Sequence, residues 1–176
     1  TMLRAHAIRR AAHPVLLDLR HKTRESAQLA VLDGTDIVII DTEESYAFVR
    51  EITTPGQRTP AHALSTGKVL MAYQDPEYIE RTLSGRVFEK TFYNTLTTKE
   101  ELLAEYARIR ERGYSFSIDE LGIDILGVGI PIFGENGRIK ACVAVGFYRG
   151  EGWEAKRNRV KDSLLSYQSQ IERNMP

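Results

Sequence analysis

The segment STGK, residues 65–68, is the first place where the sequence could bind a phosphate. A phosphate-binding loop has the pattern Gly-x-x-x-x-Gly-Lys-Ser/Thr, which surrounds phosphate oxygens with backbone N–H groups. Here His62 stands where the first glycine is required, and Val69 stands where the Mg²⁺-binding hydroxyl is required. The segment therefore predicts a helix start capped by Ser65 or Thr66, an end that still attracts a small anion or carboxylate.

Other residue types that carry out catalysis are poorly placed. The four histidines, His6, His13, His21 and His62, lack the spacing of metal ligands. The single cysteine, Cys142, falls on an apolar strand, where a packed thiol is favoured over a nucleophile. Asp119 and Glu120 are neighbours on a strand and face opposite ways, whereas a pair of Asp119 with Asp124 stays open beside turn and surface roles. The sequence therefore predicts a protein without a catalytic residue, a metal site or a cofactor, and without enzymatic activity.

Composition limits the classes of partner. A chain of 176 residues is enough for one domain. Its 24 basic and 24 acidic residues balance, which argues against this segment holding a nucleic-acid backbone itself. We interpret the one basic cluster, Arg4, Arg9 and Arg10 with two histidines, as the solvated side of a helix. With no apolar run near ~20 residues and no signal peptide, the sequence predicts a soluble, cytoplasmic segment without membrane contact.

Periodicity places these residues on a helix, a sheet and further helices. Helical spacing from Ile8 to Leu19 includes Pro14, which either starts a second helix or kinks one long helix. Further helices are predicted from Pro76 to near Gly85, from the Thr98–Glu101 capping box to Gly113, and around 160–171. Strands are predicted at 26–32, 35–42, 114–119, 125–133 and 138–147, with a short one inside the long polar segment 42–60. This order predicts an α+β domain with a central antiparallel sheet flanked by helices.

The strands at 125–133 and 138–147 form a predicted hairpin in which one face carries almost no side chains. That face has Ile125, Gly127, Gly129 and Pro131 on the first strand, and Cys142, Ala144 and Gly146 on the second. If Phe133 pairs with Arg138, Gly129 lies opposite Cys142, Gly127 opposite Ala144 and Ile125 opposite Gly146. Because opposed residues share a face, the two bare stripes coincide. The residues alone leave two interpretations open, a seat for a packed helix or the floor of a pocket.

Five segments in order resemble the effector-binding domain of IclR-type bacterial transcription regulators. They are AAHPVLLDL, LAVLDGTDIVII, RTPAHALSTGKVLMA, LLAEYARIRERGYSFSIDE and GVGIPIFGENGRIKACVAVGF. The most specific pieces are Pro60-x-His62-Ala63-x5-Val69 and Arg112-Gly113-Tyr114. The resemblance implies a GAF-like sensor domain at 25–176, with 1–24 as a helical link to a winged helix-turn-helix domain that is not part of this chain. The abrupt helical start agrees with an excised piece of a longer protein.

The resemblance also implies that the bare face is the effector pocket. The implied effector-binding residues are Ser65, Thr66, Ser117, Asp119, Ile125, Gly127, Gly129, Ala144 and Gly146. Where the family commonly has an acidic residue this chain has Ser117, and where it has two serines this chain has Ala144 and Gly146. We therefore expect a less polar and roomier pocket that takes an apolar or aromatic carboxylate-type effector.

The resemblance further implies a homodimer or tetramer that reaches operator DNA only through the separate N-terminal domain. Two alternatives stay open: a stand-alone GAF-type ligand-binding module in another signalling protein, or a small-molecule enzyme. The first would lack an upstream DNA-binding domain, and the second would need an acid–base pair that we do not find in the sequence.

Overall fold

The structure is a computed structural model that describes residues 2–175, with side chains from residue 5 onwards. Its helices are α1 (Met2–Thr23), α2 (Ser65–Ala72), α3 (Pro76–Leu83), α4 (Lys99–Arg112) and α5 (Trp153–Glu172), with a 3-10 turn at Ala61–Ala63. Its strands are β1 (Ser26–Asp33), β2 (Asp36–Glu43), β3 (Arg58–Pro60), β4 (Ser115–Ile118), β5 (Ile125–Phe133) and β6 (Ile139–Tyr148). They form one sheet in the order β3-β2-β1-β6-β5-β4, with every pair antiparallel. The predicted α+β, GAF-like class is confirmed.

The sheet separates two hydrophobic cores because its strands alternate between the two faces. On one face Leu126, Val128 and their neighbours on β6 pack against α1 and α5. On the other face Ala30, Cys142 and Ala144 pack in a cluster with α2 and α4. The nearly bare stripe of the predicted hairpin therefore lies inside the molecule, on the α2 side of the sheet.

The pairing of β5 with β6 differs from the prediction by two residues. Phe133 pairs with Ile139, and a bulge lies between Ile132 and Phe133. Gly129 therefore lies opposite Ala144 and Gly127 opposite Gly146, while Ile125 lies opposite Tyr148. The turn closes one residue later than expected, and the bulge adds one more. A shift of two residues leaves every side chain on its predicted face, so the two bare stripes still coincide.

The long N-terminal helix is held to the sheet by charged groups. Pro14 lies within a single helix, so α1 contains no second start. Arg9 and His13 both contact the buried carboxylate of Asp41, at 3.2 Å and 2.8 Å. Part of the basic cluster that we interpreted as solvated is therefore bonded to β2, because β2 carries the acidic residues Asp41 and Glu43 next to α1. The predicted capping box of Thr98 and Glu101 at the start of α4 is confirmed.

Candidate functional site

Helix α2 covers one half of the bare stripe. A Cβ atom placed on Gly129 would lie 3.6 Å from the backbone of Ser65 and 3.0 Å from the sulfur of Cys142. Ala144, opposite Gly129, is also buried beneath the same layer. This half of the stripe is a seat for a closely packed helix, so one of the two interpretations left open by the sequence holds here.

The N-terminus of α2 differs from the prediction. The helix is preceded by Leu64 in an extended conformation, and neither Ser65 nor Thr66 caps it with a side-chain hydrogen bond. The two hydroxyl residues lie inside the first turn and not at the capping position. The whole first turn is nevertheless buried. A buried helix end without a side-chain cap provides hydrogen-bond donors and a partial positive charge to whatever lies next to it.

The Gly-Lys pair in this turn has structural partners. A Cβ atom on Gly67 would lie 2.1 Å from the carbonyl oxygen of Ala61, so only glycine lets α2 approach the 3-10 turn. The ammonium group of Lys68 lies 2.6 Å from Glu120 and 3.4 Å from the carbonyl oxygen of Phe116. Lys68 therefore holds α2 in place through these contacts, and its ammonium group is not available to bind a phosphate.

The other half of the stripe, at Gly127 and Gly146, opens into a small space that we call the inner pocket. Its volume is about 20 Å³. It shares lining residues with a larger space of about 150 Å³, which we call the outer cavity. The inner pocket is also bounded by the side chains of Ser65 and Ser117. The outer cavity is bounded mainly by apolar side chains, Ile37, Ile39, Ile52 and others. Five residues line both spaces: Gln28, Glu51, Leu64, Leu121 and Ile125.

Gln28 lines both spaces and is buried. Its side chain is 5% exposed, and its amide nitrogen donates a long hydrogen bond of 3.4 Å to the hydroxyl of Thr66. Its amide oxygen has no hydrogen-bond partner among the residues that the structure describes. Buried polar atoms are nearly always hydrogen-bonded, so this acceptor is available to a bound water or ligand.

Glu51 lies between the two spaces and was not predicted from the sequence. The residue is partly exposed, but its carboxyl group points inwards and lies over the bare backbone of Gly146. A Cβ atom on Gly146 would be 1.2 Å from the Oε2 atom of Glu51. Burial raises the pKa of Glu51 to about 7, because neither a cation nor a hydrogen-bond donor compensates for the lost hydration. The one sequence signal was the long segment between β2 and β3, since long irregular connections in a domain are often binding loops.

The structure brings only some of the predicted residues to this site. Ser65, Ser117, Ile125, Gly127 and Gly146 line the inner pocket. Three others do not line either space: Thr66 lies behind Gln28, and Gly129 and Ala144 lie beneath α2.

Asp119 is also not at the cavity, because its carboxylate is bonded elsewhere. It accepts a hydrogen bond of 2.8 Å from the backbone N–H of Asp124 and forms an ion pair with Arg149. Arg149 also lies 3.5 Å from Asp124. Asp119 and Asp124 thus stabilise a turn in which both have positive φ, and they do not form an acid–base pair.

A second concave region lies at the surface near α3. It has a volume of about 180 Å³ and is lined by residues that include His62, Phe88 and Tyr106. The imidazole of His62 is bonded to the carbonyl oxygen of Glu89 at 2.8 Å and lies against the ring of Phe88. The imidazole of His62 in this region is therefore satisfied by the protein, unlike the amide oxygen of Gln28. Within residues 2–175 no cluster of His, Cys, Asp or Glu could hold a metal ion, and no helix is long and apolar enough to cross a membrane.

An antiparallel sheet flanked by helices, with a cavity lined by apolar side chains and by the polar groups of Gln28 and Glu51, is typical of a small-molecule-binding sensor domain. Comparison with known proteins agrees with this class and gives the family. The description "Bacterial transcriptional regulator IclR C-terminal" matches residues 1–173. The chain belongs to the IclR family of bacterial transcriptional regulators, of which it forms the effector-binding domain.

Its relatives are transcriptional regulators and not enzymes. The regulator KdgR of Dickeya chrysanthemi is 31% identical over 138 residues, which cover 78% of this chain and 45% of that protein. The transcriptional repressor IclR of Escherichia coli is 28% identical over 135 residues, which cover 76% of this chain and 49% of that protein. The chain spans about half the length of these curated relatives.

Solved structures share the fold closely. IclR of Thermotoga maritima has a TM-score of 0.89 and 28% identity, and the match covers 96% of this chain and 68% of that chain. The C-terminal domain of E. coli KdgR has a TM-score of 0.84 and 26% identity, and the match covers 96% of this chain and 98% of that chain. An IclR homologue from Microbacterium hydrocarbonoxydans, complexed with 4-hydroxybenzoate, has a TM-score of 0.87 and 24% identity. That match covers 97% of this chain and 69% of the homologue. At 24% identity, the similarity to the Microbacterium protein shows a shared fold only.

Proposed function

We propose that the inner pocket and the outer cavity together bind the effector of an IclR-type regulator, and that binding changes the affinity of a separate N-terminal domain for operator DNA. The observation that carries this proposal is the unpartnered amide oxygen of Gln28, a residue that lines both spaces beside the apolar side chains of the outer cavity. Such a group gains a partner when a donor of a bound molecule lies next to it.

The effector is a small apolar or aromatic molecule with a carboxylate-type end and, because the amide oxygen of Gln28 can only accept, a group such as a hydroxyl that donates a hydrogen bond to it. A cavity of about 150 Å³ is of the size that accepts a single aromatic ring. The ring contacts the isoleucines of the outer cavity, and the polar end lies towards Ser65 and Ser117. There the buried, uncapped N-terminus of α2 supplies N–H donors that favour a negative charge.

A thermal-shift assay with single-ring carboxylates tests this function. Benzoate, phenylacetate and 4-hydroxybenzoate are suitable probes, the last because a protein of the same fold binds it. Stabilisation should rise with the ratio of ligand concentration to dissociation constant. Gly127→Leu, which fills the inner pocket, should abolish the shift, whereas Gly150→Ala, in open space, should leave it unchanged. Equal binding by wild type and Gly127→Leu would place the effector elsewhere.

The remaining parts of the regulator are also proposals. Residues 1–24, mainly α1, link the sensor domain 25–176 to the DNA-binding domain, and the protein acts in the cytoplasm. The chain assembles as a homodimer or tetramer, because regulators that bind paired half-sites do so by symmetry. Light scattering that finds only a 19.9 kDa species at micromolar concentration would contradict the assembly.

Because its net charge is zero, the isolated chain should give no gel shift with DNA at moderate salt. A shift produced by this chain alone would show that its own surface holds DNA.

A further inference from the structure

We infer that the carboxyl group of Glu51 is an internal occupant of the inner pocket and that an anionic effector must displace it in order to bind. The inference rests on the proposed function, since it concerns the same site. It makes Glu51 a residue that determines which effectors the domain accepts.

The first argument is geometric. The Glu51 carboxyl lies where a side chain of residue 146 would otherwise be, and it fills space that the glycine leaves free. Gly146 is paired directly with Gly127, whose own Cβ position would be 2.7 Å from the hydroxyl of Ser65. The Glu51 carboxyl and the proposed carboxylate of the effector therefore share one small space. Two carboxylates in such a space repel each other, so one of them leaves.

The second argument is that little holds the Glu51 carboxyl in place. β1 contributes Gln28 to the surrounding walls, α2 contributes Ser65, β4 contributes Ser117, and β6 contributes the phenol of Tyr148. No Lys, Arg or His lines either space among the described residues. A buried carboxylate is normally paired or hydrogen-bonded, and one without a partner gains free energy when it returns to water.

Segment 44–57 makes such a movement possible. This segment joins β2 to β3 and contains neither helix nor strand. The backbone of Glu51 is held by a hydrogen bond of 2.7 Å from the hydroxyl of Ser26 to its carbonyl oxygen. The contact holds the main chain and does not involve the side chain, which we expect to rotate outwards when the effector enters.

Displacement gives the affinity a pH dependence with a defined sign. Burial raises the pKa of Glu51 to about 7 in the free domain, and the pKa returns towards its ordinary value of 4.5 once the side chain is in water. Binding therefore releases a proton at pH values between these two. Affinity for an ionised carboxylate should rise by roughly 10- to 100-fold from pH 5.5 to pH 8. If Glu51 stayed and shared its proton with the effector, affinity would fall as the pH rises above 7.

Calorimetric titration of benzoate and 4-hydroxybenzoate tests the inference. We expect Glu51→Ala to bind at least one probe about tenfold more tightly than wild type at pH 5.5, with a flat pH profile. The control Glu135→Ala, an exposed carboxyl in the β5–β6 turn, should behave as wild type does. Equal or weaker binding by Glu51→Ala would overturn the inference. Weaker binding would mean that the effector uses this carboxyl as an acceptor, and equal binding would mean that the carboxyl does not compete with the effector.

A measurement without ligand separates this inference from the proposed function. If no probe binds any variant, the proposed ligand class is wrong, and carboxyl titration by NMR then decides the role of Glu51. In wild type, Glu51 should titrate near pH 7. In Gly146→Ala, the added methyl group should expel the flexible carboxyl end and restore an ordinary pKa. An ordinary pKa in wild type would show that the carboxyl does not occupy the pocket.

Discussion

The ammonium nitrogen of Lys68 lies 2.6 Å from a carboxylate oxygen of Glu120, and the two side chains are 2% and 8% exposed. This ion pair joins α2 to the segment that follows β4. It fixes the helix whose first residues bound the inner pocket. The second carboxylate oxygen of Glu120 has no partner among the described residues, so the pair is not fully satisfied.

Removing one partner of this pair should be strongly destabilising. Glu120→Ala leaves the ammonium group of Lys68 buried without an anion, for which we expect a loss of about 3–5 kcal/mol in the free energy of unfolding. Urea denaturation measures it. Glu80→Ala breaks the more exposed pair with Lys99 and should cost far less, because water screens that pair. Similar losses in both variants would mean that burial of the Lys68 pair has no energetic consequence.

Gly67 should not tolerate a methyl group. Gly67→Ala brings a Cβ atom to 2.1 Å from the carbonyl oxygen of Ala61, and neither backbone can move freely inside the core. We expect a loss of about 1–3 kcal/mol, the usual effect of overpacking. Gly150→Ala meets no atom within 4 Å and should change stability by less than about 0.5 kcal/mol. Thermal or chemical denaturation of the two variants provides the comparison.

Stability should depend on pH through Glu51. Its pKa is raised to about 7 in the folded state, against 4.5 when unfolded, so the folded state retains the proton longer. The associated stability is present below pH 4.5 and is lost as the pH rises to 7. Glu51→Gln should therefore be more stable than wild type by on the order of 1–3 kcal/mol at pH 8, with no gain at pH 4.5. A gain of equal size at both pH values would mean that the effect does not come from ionisation.

Cys142 should be unreactive in the folded domain. The thiol is fully buried beneath α2, and burial raises its pKa far above the ordinary value, so the nucleophilic thiolate is absent. We expect no labelling by iodoacetamide at pH 8 without denaturant and complete labelling in urea. Rapid labelling of the native protein would show that the layer formed by α2 opens readily.

The sequence predicted the strands to within a residue or two, because alternation and turn residues are local signals. It placed Phe133 opposite Arg138 incorrectly, because a bulge depends on how two strands meet and leaves no composition signal. It assigned the cap of α2 to a hydroxyl residue, whereas the chain turns into the helix at Leu64. Glu51 was missed for a different reason: segment 44–57 has no periodicity, so its path over the sheet is set by tertiary contacts alone.

Strand β1 separates the cavity from α1 by the thickness of one backbone. Gln28 faces the cavity, while its neighbour Leu29 packs in the core that contains Leu16 and Leu19 of α1. A register irregularity follows directly, between Leu29 and Ala30. A rotation of one peptide unit at this point would change both surfaces at once, without a third element as intermediary. We expect ligand binding to alter amide hydrogen exchange more strongly in α1 than in α4. Exchange rates measured for both helices with and without ligand would check this difference.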